Sequence, residues 1–271
     1  MWAKFIDCNS NLKSEKVIHE CIKSINQNVP IIVVEHSNNQ KFKDDLEQKY
    51  KNLKCILSKD NLGMGTGNNI GIKASNTDYV LILNPDVLLE KNTLEELFEA
   101  SKKLKEFSIL APLEKNFINY GFFNKKKINK NLETSPFQVD FVDGFAMLIN
   151  KKNFKEVNYF DENFFMYLEN NDLCKRSRDK GNLIYVVPRS KINHLAAKTV
   201  DKKYEDEVEF SRNWHWIWSK FYFNKKHYGL LRACYEGFPR FCTSLTKFLF
   251  YLLINNKKKK KIYFNRASGF F

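Results

Sequence analysis

The sequence has no CxxC pair: Cys8, Cys21, Cys55, Cys174, Cys234 and Cys242 are scattered, three of them inside apolar stretches. That spacing argues against a zinc site or a disulfide framework and predicts buried, reduced thiols in a cytoplasmic setting. No secretory signal is expected, because the first apolar stretch is short and broken by Asp7 and Asn9. The apolar run from Phe241 to Ile254 falls short of the roughly 20 residues that span a bilayer. There is no internal repeat. No Gly-Lys-Ser/Thr follows the glycine-rich segment at residues 61–71, which excludes a Walker A loop, and the dinucleotide fingerprint is not met either.

What is present is a chain of 271 residues, 43% hydrophobic and 15% aromatic, enough to bury one large α/β core with or without a small appendage. The formal charge is +14, but from Lys225 onward eleven Lys and Arg face one acid, Glu236. The body is therefore nearly balanced and the basic excess belongs to the tail. A pI of 9.3 and interleaved aromatics raise nucleic-acid binding as a rival. With the basic residues confined to the tail and no recognised motif, no nucleic-acid partner is expected.

Apolar spacing predicts a helix over residues 15–25, with Val17, Ile18, Cys21, Ile22 and Ile25 on one face and Ser14 as cap. Ile31 to Val34 reads as a strand covered on both faces. Phe42, Leu46 and Tyr50 predict a second helix. Strands are expected at Cys55–Leu57 and Tyr79–Leu83, separated by a turn and a helix that starts near Asn69. Thr93 and Glu96 form a capping box before a helix that buries Leu94, Leu97, Phe98 and Leu104, with Lys102, Lys103 and Lys105 at its negative end. This alternation predicts a parallel, doubly wound sheet, which binds ligands beyond the carboxyl ends of its strands. Residues 115–135 read as a loop, and Phe141–Ile149 and Leu183–Val187 as further strands.

Chemistry is expected in the stretches that follow strands. These are Glu35-His36-Ser37-Asn38, the segment Asn61 to Gly71, and Asn84-Pro85-Asp86. The glycine-rich segment permits close backbone approach, and Asn68 and Asn69 add amide donors; it is either a plain turn or a ligand-binding loop. Asp86, directly after Tyr-Val-Leu-Ile-Leu, can hold a hard cation shared with phosphate oxygens, or cap an Asx-type turn.

In order along the chain these pieces, followed by Val142-Asp-Gly-Phe145, Tyr159-Phe-Asp-Glu-Asn-Phe-Phe165, Tyr167-Leu-Glu-Asn-Asn-Asp172 and Val187-Pro…His194, resemble the family 2 glycosyltransferases. The likeness is to the rhamnosyltransferase-like branch and runs from about Ile18 to Gly229; it is poorest at the first strand, Ala3 to Ser10. It implies the α/β GT-A fold, a Rossmann-like, mostly parallel central sheet flanked by helices. It also implies a nucleoside-diphosphate-sugar site at Glu35, Ser37, Asn61, Gly63, Gly67, Asn68, Asn84 and Asp86, for a dTDP or UDP donor. Glu35 stands where the family usually has an Asp that contacts the base or ribose. Asn84-Pro-Asp86 matches the family's Asp-any-Asp motif with its first acid replaced, so Asp86, together with His194, is the expected ligand of Mg²⁺ or Mn²⁺. Asp143 and Gly144 fall on the acceptor or sugar side, and Arg176 either approaches phosphate there or pairs with Asp172.

The resemblance further implies an inverting transfer, in which a carboxylate takes the proton of the acceptor hydroxyl. Glu169 is the expected base and Asp172 the alternative. The family's usual second acid is Asn170 here, which leaves a catalytically weak or inactive protein as one alternative; a nucleotidyltransferase is another. The acceptor is expected to be a surface glycan or lipid-linked oligosaccharide at the inner face of the cell membrane, and rhamnose is the donor sugar the resemblance favours.

Two domains are expected: a transferase domain over residues 1–224 and a basic, aromatic helical extension over 225–271. Aromatics from Trp214 to Phe223, the apolar run to Ile254 and Lys257 to Lys261 fit either a segment at an anionic membrane surface or a core helix with a solvated lysine patch. The apolar ending Ser268-Gly-Phe-Phe also fits a piece of a longer protein.

Overall fold

The computed structural model describes residues 2–8, 14–25, 29–123, 134–154, 157–195 and 204–270. The expected loop at 115–135 thus lies partly outside the described residues, and the Ser14 cap and the Cys8 thiol lie outside the described side chains. The chain divides into two compact units. One comprises Met1–Asp161 with Asn170–Thr199, the other Glu162–Glu169 with Val200–Phe271.

The first unit is α/β. Strands β1 (Trp2–Cys8), β2 (Ile31–Glu35), β3 (Leu53–Leu57) and β4 (Tyr79–Leu83) pair in parallel in the order β3-β2-β1-β4. Between them run α1 (Ser14–Ser24), α2 (Gln40–Lys49) and α3 (Met64–Ala74). The predicted apolar faces are buried: Ile18, Cys21, Ile22 and Ile25 beside α1, Phe42 and Leu46 on α2, and all five residues of β2.

Beyond β4 the sheet changes character. After β5 (Val87–Leu89), α4 (Thr93–Lys103), β6 (Ile109–Glu114) and the short β7 (Tyr120–Gly121), β8 (Phe137–Gln138) and β9 (Phe141–Val142), the strand β10 (Ala146–Asn150) inserts antiparallel between β4 and β6. Then α5 (Glu169–Asp179) leads to β11 (Ile184–His194), parallel to β6 but antiparallel to β5 and β8. The sheet is therefore mixed, where a mostly parallel one was expected. A buried parallel strand and a buried antiparallel strand read alike in sequence, and β10 is apolar as far as its last residue, Asn150.

Three local expectations need correcting. Helix α3 starts at Met64 rather than near Asn69, so most of the glycine-rich segment is helical, and Gly65, Gly67 and Gly71 are buried within it. Glycine disfavours helix by about 1 kcal/mol, but packing around buried Ile72 and Asn69 overrides it. The capping box does not form. The Thr93 hydroxyl instead donates to the carbonyls of Glu90 and Lys191. Phe98 is 41% exposed rather than buried, with the Lys102 ammonium 3.9 Å over its ring.

The second unit is helical: α6 (Glu205–Tyr228), α7 (Leu230–Leu253) and α8 (Lys257–Ser268), with the segment Glu162–Glu169. A boundary was expected at residue 224, but α6 passes through that position unbroken and lies wholly within the second unit, which takes in Val200–Phe271 besides Glu162–Glu169. Its aromatics stack on one another, Trp218 on Tyr222 with ring centroids 5.0 Å apart and Phe164 edge-on to Tyr222 at 4.8 Å. The Ser219 hydroxyl holds the Met166 carbonyl at 2.7 Å. Among the described residues no helix is long and apolar enough to cross a membrane.

Candidate active site

The parallel strands deliver their carboxyl ends to one edge, since Glu35 is in register with Leu57 and Leu83 with Ile6. The turn after β4 carries Asp86. Its geometry is set from the neighbouring strands: the Asn84 N–H donates to the Phe145 carbonyl at 2.9 Å, and the Leu195 N–H to the Asp86 carbonyl at 2.9 Å. Because β11 pairs with β5 so that His194 faces Val87, the imidazole arrives beside the acid. His194 Nε2 lies 3.3 Å from Asp86 Oδ1. The ring stacks on Phe145, centroids 4.3 Å apart and planes 22° from parallel, which fixes its plane.

Two residues that sequence reasoning missed hold this corner. The buried Glu114 carboxylate, at the end of β6, accepts the His194 N–H at 2.7 Å through one oxygen. Its other oxygen accepts both the backbone and side-chain N–H groups of Asn116 at 3.0 Å. Asn119, wholly buried, bridges the Glu114 N–H and the Pro112 carbonyl, and its own carbonyl accepts the Asp143 N–H at 2.8 Å. The signal was available in the sequence, as an acid closing the apolar run Ile109 to Leu113. Burial pushes the Asp143 carboxyl above its usual range, opposed in part by the nearby His194.

Gly144 is closely packed. A Cβ there would lie 3.2 Å from Asn170 Cβ and 3.8 Å from the Met64 methyl at the start of α3. Asn170 donates its amide to the Val142 carbonyl at 2.7 Å. A carboxylate at 170 could not make that donation, so the replacement of the usual acid is built into the packing.

Arg176 takes the pairing alternative. Its Nε donates to Asp172 at 2.7 Å, and its terminal nitrogens donate to the carbonyls of Val157, Asn158 and Tyr159. Asp172 is fully buried and anchored by that pair, which suits a structural ion pair better than a proton acceptor, and Arg176 is turned to backbone rather than phosphate. Glu169 differs. It opens α5 directly after Tyr167 and Leu168, whose φ angles of 70° and 66° are left-handed. Two consecutive non-glycine residues in that region cost about 1–2 kcal/mol each, a strain that collects at functional sites. Glu169 itself is 2% exposed.

Glu35 and Ser37 meet each other. One Glu35 oxygen accepts the N–H and the hydroxyl of Ser37, at 2.8 and 2.5 Å, and the other accepts the Asn39 N–H at 3.0 Å. The carboxylate thus closes the turn between β2 and α2. Asn61 accepts the N–H of Gly63, whose φ of 81° starts α3. Asn69 clamps Phe160 through two 2.9 Å bonds, so its amide is structural. Asn68 is the opposite case: 1% exposed, with neither end of its amide bonded within the described residues. Such a group costs about 1–3 kcal/mol unless a ligand satisfies it.

Asp86 and His194 converge at this corner, and among the described residues no three His, Cys, Asp or Glu side chains gather to hold an ion. One carboxylate and one imidazole fit an ion whose remaining positions are filled by phosphate oxygens and water. They do not make a closed, all-protein cage.

A sheet that turns from parallel to mixed at β4, with an acid at that strand's carboxyl end, defines the GT-A class of folds. The chain belongs to glycosyl transferase family 2, whose sequence model matches residues 8–169. It is 26% identical over 227 residues to the low-salt glycan biosynthesis hexosyltransferase Agl10 of Haloferax volcanii, covering 74% of this chain and 67% of that one. It is 29% identical over 181 residues to rhamnosyltransferase WbbL of Escherichia coli, covering 57% and 66%. To the N-acetylglucosaminyl-diphospho-decaprenol L-rhamnosyltransferase of Mycobacterium tuberculosis it is 24% identical over 192 residues, covering 57% and 62%. The matches span about two thirds of the length of these relatives. Among solved structures it resembles GalNAc-T7 with UDP, GalNAc and Mn²⁺, at a TM-score of 0.60 and 14% identity over 82% of this chain and 50% of that one. It also resembles S. aureus TarS 1-349 in complex with UDP-GlcNAc, at 0.56 and 15%, over 99% and 90%. At such identities the likeness establishes the fold alone.

Proposed function

We propose that the chain transfers a hexosyl unit, with inversion, from a nucleoside diphosphate sugar of the UDP or dTDP type to a hydroxyl of a glycan or lipid-linked acceptor. The observation that carries this reading is the Asp86–His194 pair at the carboxyl end of β4, 3.3 Å apart and locked by Phe145 and Glu114. Mg²⁺ or Mn²⁺ held there would neutralise charge on the departing diphosphate. Asn68 supplies a buried amide for the donor, and Glu35 with Ser37 shape the loop at the nucleotide side. Asp143 and Gly144 form the turn on the sugar side, where the missing Cβ lets Asn170 of α5 pack close against the backbone.

Glu169 is the base. It takes the proton of the acceptor hydroxyl as that oxygen bonds to the anomeric carbon; the bond from that carbon to the diphosphate oxygen breaks, and its electron pair leaves with the nucleoside diphosphate. Asp172 is set aside because Arg176 already occupies it. Rhamnose is the leading donor sugar, supported by the names of two relatives.

A donor panel of UDP- and dTDP-sugars with Mn²⁺ and a lipid-linked acceptor tests this. Release of nucleoside diphosphate rather than pyrophosphate separates transfer from nucleotidyl chemistry. Glu169→Gln is expected to lower turnover at least about a hundredfold with donor binding retained. A variant within tenfold of the parent refutes the assignment of the base.

A further inference from the structure

Aromatics of the C-terminal helical unit pack on one another, as Phe221 and Phe241 do on Phe270 and Tyr251 on Tyr263, yet α7 leaves one long face bare. Leu231, Tyr235, Phe238, Leu245, Leu249 and Leu253 recur at steps of three, four or seven residues, so at 3.6 residues per turn they line one stripe. Leu231 is 88% exposed, Tyr235 74% and Leu253 85%. Single exposed apolar residues are ordinary; a charge-free stripe running the length of a 24-residue helix is not.

Charge says what would cover it. Arg232 flanks the stripe near its start, and at its far end exposed Leu252, Leu253 and Ile254 lead through a short turn into Lys257, Lys258 and Lys259. Across α7 and α8 there is a single acid, Glu236, and Arg232 neutralises it at 2.6 Å. Arg232, Lys247 and Lys259 lie over the rings of Tyr235, Tyr263 and Tyr251, and Lys258 pairs with Asp206 and Glu209, but ring contacts leave the charge in place and α7 and α8 carry no acid besides Glu236 to oppose it. Pro239 interrupts the helix's hydrogen bonding without removing any residue from the stripe. No described helix can cross a bilayer, so this one would lie along it.

We infer that the outer face of α7, with the lysines that open α8, is a docking surface for an anionic lipid bilayer, its apolar stripe sunk among the acyl chains and its basic border at the headgroups. A helix of this pattern lies in the interfacial plane, held by buried apolar area and by attraction to anionic lipid together. A protein partner would be expected to meet polar, hydrogen-bonding groups within the stripe, and it has none beyond the Tyr235 hydroxyl and Thr246. The inference stands on α7 and α8 alone and not on the transfer chemistry.

Flotation of the full chain with vesicles tests it, using phosphatidylcholine alone and phosphatidylcholine with about one third phosphatidylglycerol. The intact chain is expected to float with the anionic vesicles and at least about tenfold less with the neutral ones. Leu231→Glu with Leu253→Glu should lower the floating fraction about tenfold or more, and so should Lys257→Glu with Lys259→Glu. All four residues are exposed, and unchanged thermal melts confirm that each variant is folded. An intact chain that stays unbound with anionic vesicles overturns the inference, as does a leucine variant that floats like the parent. Should the leucine pair instead convert a dimer to a monomer in size-exclusion chromatography while flotation is unchanged, the stripe is a face between copies of the chain and the proposal fails.

Discussion

Helices α5 and α7 treat their side chains in opposite ways. On α5 the polar residues are inside and each has a partner: Asp172 with Arg176, Asn170 with the Val142 carbonyl, Ser177 with the Ser108 hydroxyl at 2.8 Å. On α7 the apolar residues are outside, and only Ala233 and Ser244 are buried. The difference teaches where each helix's contribution is made. The interior of α5 is fixed by bonds that the chain completes by itself, so damage there is read as lost stability or lost chemistry. The face of α7 is left exposed among the described residues, so damage there should be read chiefly in what the protein binds.

The largest effect that would break this contrast is on Arg176. Arg176→Ala leaves the Asp172 carboxylate buried and uncompensated, with three backbone carbonyls stripped of their donor. Breaking a buried pair from one side costs about 3–5 kcal/mol, to be measured by urea unfolding. Adding Asp172→Asn should recover part of that loss, and a purely additive double variant would mean that the pair is not coupled. Next in size is Asp86→Ala. Loss of an outer partner of a metal ligand costs about 10–100-fold in affinity, so loss of the ligand itself should weaken Mn²⁺-supported nucleotide binding by at least about a hundredfold. Calorimetric titration with UDP and Mn²⁺ measures it, and stability should scarcely change.

Much of this was legible in the sequence, for physical reasons. The parallel half declared itself because buried strands such as Ile31 to Val34 are continuous apolar runs, and because the acids and amides that follow them interrupt those runs abruptly. The mixed half did not. Strand direction leaves no mark on Ala146 to Asn150, and β6 hides behind a proline at Pro112. Asp86 and His194 were recognisable by motif, but their meeting depends on β5 and β11 pairing antiparallel, which no local pattern predicts. Asp172 and Arg176 illustrate the converse. An i, i+4 spacing on a helix allowed either pairing or ligand contact, and only burial and the three carbonyls at residues 157–159 decide between them. Glu114 is visible as an acid closing an apolar run, but nothing local says that it holds the backbone of His194, which lies on a strand distant in the chain, or that Asn119 supports it.

A smaller effect concerns Asp143, whose carboxyl titrates above its ordinary value of 3.8 because burial disfavours the charged form. The folded state therefore holds this proton more tightly than the unfolded chain does. As pH rises from below 3.8 through the raised folded value, the unfolded state binds fewer protons and stability falls; above that window the loss is complete. Asp143→Asn has no charge to bury, so it should match the parent near pH 3 and be the more stable of the two at neutral pH. Urea melts from acid to neutral pH check the sign. Equal stability at both ends would mean that Asp143 is solvated in solution, and a variant less stable at neutral pH would mean that its charge has a partner.

The smallest expected effect is the other half of the contrast. Leu231→Ser and Leu253→Ser, at 88% and 85% exposure, remove apolar surface that water already covers in the folded chain. Neither residue leaves a cavity, strips a hydrogen bond or disturbs a cap, and surface changes outside those mechanisms stay within about 0.5 kcal/mol. Serine is somewhat poorer than leucine in a helix interior, so the small change that remains should be a loss. Thermal unfolding of the two variants beside the parent measures it. A loss of more than about 2 kcal/mol would show that the stripe is packed in solution against something that the chain provides, and would move α7 from the open side of the comparison to the side where α5 belongs.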